Sequence, residues 1–488
     1  MKNTRTLRRA IGLAAIIALI GIAATSCDSP SGAGAVAGPG ETAVYHTVTF
    51  YTGLGGSAVP SARVRDGNTV ARPTNDPTRG DYYFTHWGFN FNQPITSNIT
   101  VPAMWELRQG GLRFRYNASL QGYEAVGLVD ADAAISVVIP STLGGDRPVV
   151  GIASGAFSNS GIIGLTFEQN SQLEVIGTSA FSGTASLASA VEIPASVATI
   201  NWAAFRDSGI TGLTFAQNSQ LEYIEGWAFN NTASLTGTVE IPASVVTIGA
   251  SAFSGSSITG LTFAQNSQLE YIEGWAFNNT ASLTGTVEIP AGVVTIGYAA
   301  FASSAIELTF ENGSQLETIG GFAFSGALTG TVEIPASVVT IGEFAFQASG
   351  ITGLTFAQNS KLETFGYRAF VNTGFLTGTV EIPANVVTIG ANAFSNSRIT
   401  GLTFEQGSQL ETIGNEAFMH TGSFGNLAST VEIPPSVESI GENAFAAALF
   451  IETIRIQRDT LYPAGWGELW HGNRPVYNSL VSPPERLN

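Results

Sequence analysis

From about residue 137 onward the chain repeats a short alternation of apolar and polar positions, written in two forms. One form reads Val239-Glu240-Ile241 and the other Leu213-Thr214-Phe215, and in each the outer residues are apolar and the middle one polar. A period of two belongs to a strand with one buried face, so Val239, Ile241, Leu213 and Phe215 are predicted to point inward and Glu240 and Thr214 outward. Pro242 follows the first form at once and removes a backbone donor where the strand has to stop. Val245 and Ile248, or Leu221 and Ile224 in the second form, turn the chain back to the interior. Gly249 is expected to support the tight turn after them, and Phe253 to fill the opposite wall.

The pair Ala-Phe marks each unit. It ends at Phe157, Phe181, Phe205, Phe229, Phe253, Phe277, Phe301, Phe324, Phe346, Phe370, Phe394, Phe418 and Phe445, with steps that are mostly 24 residues. Thirteen units at this period predict a solenoid. Residues 210–243 return letter for letter at 258–291, because the two forms alternate and a pair spans 48 residues. A single unit has no core of its own and acquires one only by stacking on its neighbours. With strands ~4.8 Å apart, the units predict a rod of roughly 60 Å with a parallel sheet on one face.

The cadence of strand, Ile-Pro and Val-x-x-Ile-Gly-x-x-Ala-Phe over residues 137–456 resembles the BspA-type leucine-rich repeat. That resemblance implies a leucine-rich repeat solenoid on a surface protein that adheres to host or neighbouring-cell components. The cysteine usual late in each unit of that family is replaced here by Thr, Ser, Ala or Leu. An open sheet needs its ends covered. Residues 108–136 are expected as an N-terminal cap, and residues 457–488, with the aromatic run LYPAGWGELWHGNRPVY, as the C-terminal one.

Ahead of the repeats, residues 44–107 carry aromatic, strand-like runs such as YYFTHWGF between Gly- and Pro-rich turns. On Val48, Phe50, Gly55, Gly56, Gly67, Pro73, Pro77, Gly80, Phe84, Trp87 and Trp105 this stretch resembles the Listeria–Bacteroides (internalin B-type) repeat. The resemblance implies a small β-grasp-like domain that serves as a spacer or binding unit without catalytic residues. Residues 27–43 are small and rich in Gly, Ala, Pro and Ser, the composition of a flexible tether. Residues 1–26 join a basic start, MKNTRTLRR, to an apolar run of about fifteen residues, the length of a signal-peptide core and short for a membrane span. The run ends in ATSC, which resembles the lipobox of bacterial lipoproteins and implies lipidation of Cys27. Location in a bacterial cell envelope, at the outer membrane or cell surface, with the membrane touched only through the lipid anchor, follows as the expectation.

Composition narrows the function. The chain has 488 residues, 44% hydrophobic and 12% charged, with 56 Gly, which is too apolar for disorder and too glycine-rich for long helices. Its formal net charge is −17, and no Lys or Arg occurs between Arg206 and Lys361, so a nucleic acid partner is disfavoured. The single cysteine excludes an intramolecular disulfide and a cysteine-ligated zinc site. His46, His86, His420 and His471 are scattered, which supports neither a metal cluster nor a Ser-His-Asp arrangement. No catalytic residue, metal or cofactor is expected, and the protein is read as no enzyme.

Two stripes are candidates for binding instead. Glu192, Glu240, Glu288, Glu333, Glu381 and Glu432 recur once per double repeat on the outward strand position, with Thr166, Thr214, Thr262, Thr309, Thr355 and Thr403 between them. They either keep an exposed sheet soluble or sum into a negative band that docks a basic partner or recruits divalent cations. Just before Ala-Phe, Trp202, Trp227, Trp275, Tyr298, Phe322, Phe344 and Tyr367 form a second stripe. These rings either pack on neighbouring turns or form an exposed track for protein hot spots or sugar rings. The expected partner is a protein or glycan on a host or neighbouring cell, met by a monomer through avidity. The rivals are a carbohydrate-binding accessory protein and a structural surface scaffold.

Overall fold

In the Val-Glu-Ile form the apolar positions are buried and the polar one exposed: Val239, Ile241, Val245, Ile248 and Phe253 are inside, while Glu240 faces water. In the Leu-Thr-Phe form Leu213 is buried, Thr214 exposed and Phe215 only half-buried against the core. The computed structural model describes residues 43–80, 82–131, 133–422, 429–456, 470–471, 476–478 and 485–487. The expected leader, Cys27 and tether lie outside the described residues. By contacts the described residues divide into two units, one comprising residues 43–49 with Ser61–Arg72 and Asn90–Thr100, the other the remaining described residues. Among the described residues no helix is long and apolar enough to cross a membrane.

In the smaller unit, the start of β1 (Tyr45–Tyr51) pairs antiparallel with β2 (Ala62–Arg65), and His46 meets Asp66 at 2.8 Å. In the larger unit, β3 (Tyr82–Trp87), β4 (Ile99–Gln109), β5 (Leu112–Asn117) and β6 (Gly122–Leu128) follow one another antiparallel. β6 then lies parallel to Arg147–Ile152, the first strand of the repeat ladder. No distinct N-terminal β-grasp-like domain is resolved. The aromatic strand β3 belongs instead to the sheet that continues into the repeats, because each of its successors offers a free edge to the next.

The repeats form a parallel β-solenoid, but its continuous ladder is not the one the alternation suggested. Two-residue strands such as Thr199–Ile200, Tyr223–Ile224 and Thr247–Ile248 pair in parallel without a break from Arg147–Ile152 to Ser439–Ile440. The longer strands join mostly in twos, as Ala190–Ile193 with Gly212–Phe215 and Thr238–Ile241 with Gly260–Phe263. The cause is loop length. Phe229 and Val239 are separated by NNTASLTGT, nine residues, and the ladder stops there; Phe324 and Val332 are separated by SGALTGT, seven residues. Only at this shorter link does the ladder run on, through Thr284–Ile289, Ala305–Phe310, Leu328–Ile334 and Gly350–Phe356. The two further residues hold the following strand out of hydrogen-bonding reach.

The wall opposite the strands is a stack of rings. Phe157 to Phe445 lie face to face in sequence, with centroids between 4.7 Å (Phe346–Phe370) and 5.6 Å (Phe301–Phe324) apart. The backbone locks each step, since Phe229 N–H donates to the Ala252 carbonyl at 2.7 Å and Phe253 N–H to the Ala276 carbonyl at 2.8 Å. Small hydroxyls fill the core beside the rings; Thr232 Oγ1 and Thr280 Oγ1 donate to the carbonyls of Phe229 and Phe277. Trp470 is buried edge-on against Phe445 at 6.2 Å and its carbonyl accepts from Phe445 N–H.

Gly249 is required for a different reason from the turn expected of it. A Cβ there would lie 2.5 Å from the Gly226 backbone nitrogen, so the glycine is dictated by the close approach of the neighbouring coil. Gly297, Gly342 and Gly366 meet the preceding coil in the same way. Gly249→Ala is therefore expected to lower the urea midpoint clearly. Phe277→Ala, which empties a mid-stack position, is expected to cost about 3–5 kcal/mol in the same denaturation measurement.

Candidate functional site

The outward glutamates are positioned by the strands. Glu192, Glu240, Glu288, Glu333, Glu381 and Glu432 are all exposed, and each lies in register with a residue of the following strand. For five of them that partner is threonine, as Glu192 with Thr214 and Glu240 with Thr262; for Glu432 it is Arg455, at 3.7 Å. Thr166 opposes Val138. Most of the longer strands join in twos, so the glutamates do not form one unbroken column; Glu288 and Glu333 share the four-stranded sheet, in which Glu307 is also exposed. Near Glu333 the strands Ala305–Phe310 and Leu328–Ile334 part after Glu307 and Thr329. They leave a groove of about 510 Å³ between Leu308, Phe310, Thr331 and Pro335, with Glu311 and Glu333 in its lining.

The aromatic stripe lies at the turn between the short strand and the Ala-Phe pair. Trp202, Trp275, Tyr298 and Tyr367 are 47, 46, 42 and 41% exposed, whereas Trp227, Phe322 and Phe344 are half-buried. The rings touch along two runs. Trp202 meets Trp227 at 6.2 Å, and Trp275, Tyr298, Phe322, Phe344 and Tyr367 follow one another at 4.6–5.3 Å. Between the runs stand Ala250 and Ser251, which carry no ring. Each ring packs on a neighbour, and four of them also present a face to water.

The backbone under this stripe is unusual. The residue just before Ala-Phe is left-handed in every unit, and Gly155, Asn392 and Asn443 are residue types that accept this readily. Trp227 (φ 62°), Trp275 (φ 57°), Phe322 (φ 56°) and Phe344 (φ 54°) occupy the same position at a cost of about 1–2 kcal/mol each. Nothing at Trp227, Trp275, Phe322 or Phe344 marks this, because a left-handed position is legible only where Gly or Asn stands, as at Gly155, Asn392 and Asn443. Two further exposed rings were outside the expected stripe: Tyr223 and Tyr271, the outward residues of short strands. They stand four residues before Trp227 and Trp275, on the period-two alternation that Ile224 and Ile272 begin.

Cations are scarce on this face, and two of them sit on rings. The guanidinium of Arg206 lies 4.8 Å from the Trp227 ring centre and beside Asp207; that of Arg368 lies 4.9 Å from Tyr367. The Tyr123 phenol is pushed above its ordinary value by burial, with Tyr82 hydrogen-bonded beside it, but it belongs to β6 and to neither stripe. Among the described residues no group of three or more His, Cys, Asp or Glu is placed to hold a metal ion. A leucine-rich repeat solenoid is a fold typical of non-catalytic scaffolds.

With this geometry established, comparison with known proteins is informative. Six copies of a family profile described as BspA type Leucine rich repeat region match residues 150–284, 270–398 and 388–462, which together cover more than half of the chain. Among solved structures, the pneumococcal vaccine antigen PcpA is 20% identical, covering 72% of this chain and 94% of its own, with a TM-score of 0.38. A leucine rich cell surface protein from Faecalibacterium prausnitzii is 22% identical, covering 72% of this chain and 95% of its own, with a TM-score of 0.36. A leucine-rich repeat protein from Bacteroides ovatus is 16% identical, covering 72% and 94%, with a TM-score of 0.40. No curated protein matches significantly.

If the left-handed tryptophan is a burden on the fold, Trp227→Asn, which accepts that backbone, should melt no lower than the unmodified protein. A fall of several degrees in a thermal scan would assign the ring to packing instead.

Proposed function

The chain belongs to the BspA-type leucine-rich repeat family, and from that premise we propose that it is a bacterial surface lipoprotein that recognises macromolecules by contact along its repeats. Residues 1–26 are removed, Cys27 carries the lipid, residues 27–43 form the tether, and residues 44–107 act as a spacer of the Listeria–Bacteroides type. The repeats are then held away from the membrane as an adhesin-like surface. The observation that carries this reading is the division of roles within each coil. The interior is uniform and closed, while the outward positions are free to repeat carboxylates and rings from one coil to the next.

Recognition of this kind works by avidity. Single exposed side chains contribute little, but equivalent contacts on successive coils act at high effective concentration once the first has formed. The copied block of 34 residues supports this reading, since adding coils extends the contact face without disturbing the core. The exposed faces of Trp202, Trp275, Tyr298 and Tyr367 favour a second reading, a carbohydrate-binding accessory protein, in which sugars stack on the rings.

The test is capture of extracellular-matrix and bacterial-surface components by the full protein, with polysaccharides as competitors. A protein ligand that resists polysaccharide competition is the expected result. Competition by polysaccharide alone would favour the second reading, and self-association without any ligand would make the protein a scaffold. Cys27→Ser is expected to abolish metabolic incorporation of fatty acid and to release the protein from the membrane fraction.

A further inference from the structure

The two copied blocks place one surface motif on the outside twice, in unequal surroundings. In the second copy Tyr271, Glu273 and Trp275 are all exposed, while Ile272 is buried and Gly274 half-buried. In the first copy Tyr223 and Glu225 are exposed as well, but Trp227 is not. The difference comes from the coil before each. Arg206 precedes the first motif and lays its guanidinium over the Trp227 ring at 4.8 Å, and Trp202 approaches the same ring at 6.2 Å. Forty-eight residues on, Ser254 and Ala250 stand at those two positions. Trp227 is accordingly half-buried, and Trp275 is exposed.

Charge decides what the uncovered ring is suited to receive. From Asp207 to Ser360 the sequence holds twelve acidic residues and no Lys, Arg or His. An aromatic face attracts a cation, and a neighbouring carboxylate adds to that attraction. A neutral sugar could stack on the ring and donate its hydroxyls to the carboxylates, but it would gain no net Coulomb attraction from the acidic surface; an anionic polymer would be repelled. Arg206 on Trp227 shows which group the first copy already seats.

We infer that Tyr271, Glu273 and Trp275 form a seat for a Lys or Arg side chain of an extended cationic polypeptide. The peptide runs along the coils toward Tyr298, whose ring meets Trp275 at 5.0 Å. In the first copy the chain's own cation, Arg206, already covers the corresponding ring. This deepens the macromolecule-recognition reading above and rests on it.

The probe is the peptide (Arg-Pro-Pro)4, extended by its prolines, titrated into the full protein and followed by calorimetry at low and high salt. Binding that weakens severalfold with salt is expected, with no binding of (Glu-Pro-Pro)4 or of a neutral β-glucan oligosaccharide. Trp275→Ala and Glu273→Gln should each weaken binding at least fivefold; the second keeps a side-chain oxygen that can accept from Ala250 N–H, as Glu273 Oε2 does at 2.9 Å. Trp227→Ala should leave affinity within twofold. Arg206→Ser, which copies the sequence at Ser254, should open the first seat and raise affinity or stoichiometry about twofold. Equal losses for Trp227→Ala and Trp275→Ala, no loss for Glu273→Gln, or binding of the oligosaccharide in place of the peptide would overturn the inference. If the full protein still captured surface components while Trp275→Ala and Glu273→Gln changed nothing, only the cation seat would fall.

Discussion

The axial step between coils, about 5 Å, is the constraint from which the rest of the repeat structure follows. A flat aromatic ring stacks at that separation, and a backbone N–H reaches the carbonyl of the next coil at it. The phenylalanine stack and the short-strand ladder therefore impose the same distance from opposite walls of the coil. Once both hold, nothing larger than hydrogen fits at Gly249 or Gly297, and the space between the walls admits only Thr, Ser or Ala beside each ring. Burial of each ring contributes roughly 1.5–3 kcal/mol, but a coil realises it only with a neighbour on either side.

That constraint leaves the outside of the coil free. The inward residues of every unit are nearly the same, while the outward ones vary by stripe: glutamate against threonine on the longer strands, rings at the turn, tyrosine or threonine on the short strands. A surface built this way repeats a contact at fixed intervals. The same regularity makes exceptions informative. Arg206 and Ser254 stand at equivalent places before identical motifs, and only one of the two carries a charge. The shorter link after Phe324 is another exception, and there the longer strands join into a wider sheet with a groove beside Glu333.

The left-handed residue before each Ala-Phe joins the two themes. It turns the chain from the short strand toward the ring wall in every unit, and its N–H bonds to the next coil, as Trp227 N–H does to the Ala250 carbonyl. The conformation is fixed by the fold, but the side chain placed on it is not. Trp and Phe are poor choices for such a backbone on intramolecular grounds alone, and their concentration between Trp227 and Phe344 coincides with the stretch that lacks basic residues.

How much of this was legible in the letters depended on whether a property is local. The inward and outward sense of Val239, Glu240 and Ile241, the ring at Phe253 and the stop at Pro242 follow from one unit read by itself, because side-chain alternation and a missing donor are properties of a few adjacent residues. The sequence by itself therefore determined the repeat, its period, its core and its solenoid class. Only the tertiary structure decided which strands form the unbroken ladder, why Gly249 has to be glycine, and which rings remain open to water. Each of these turns on the distance between residues one coil apart, set by the length of the intervening loop and by the side chain facing across the gap.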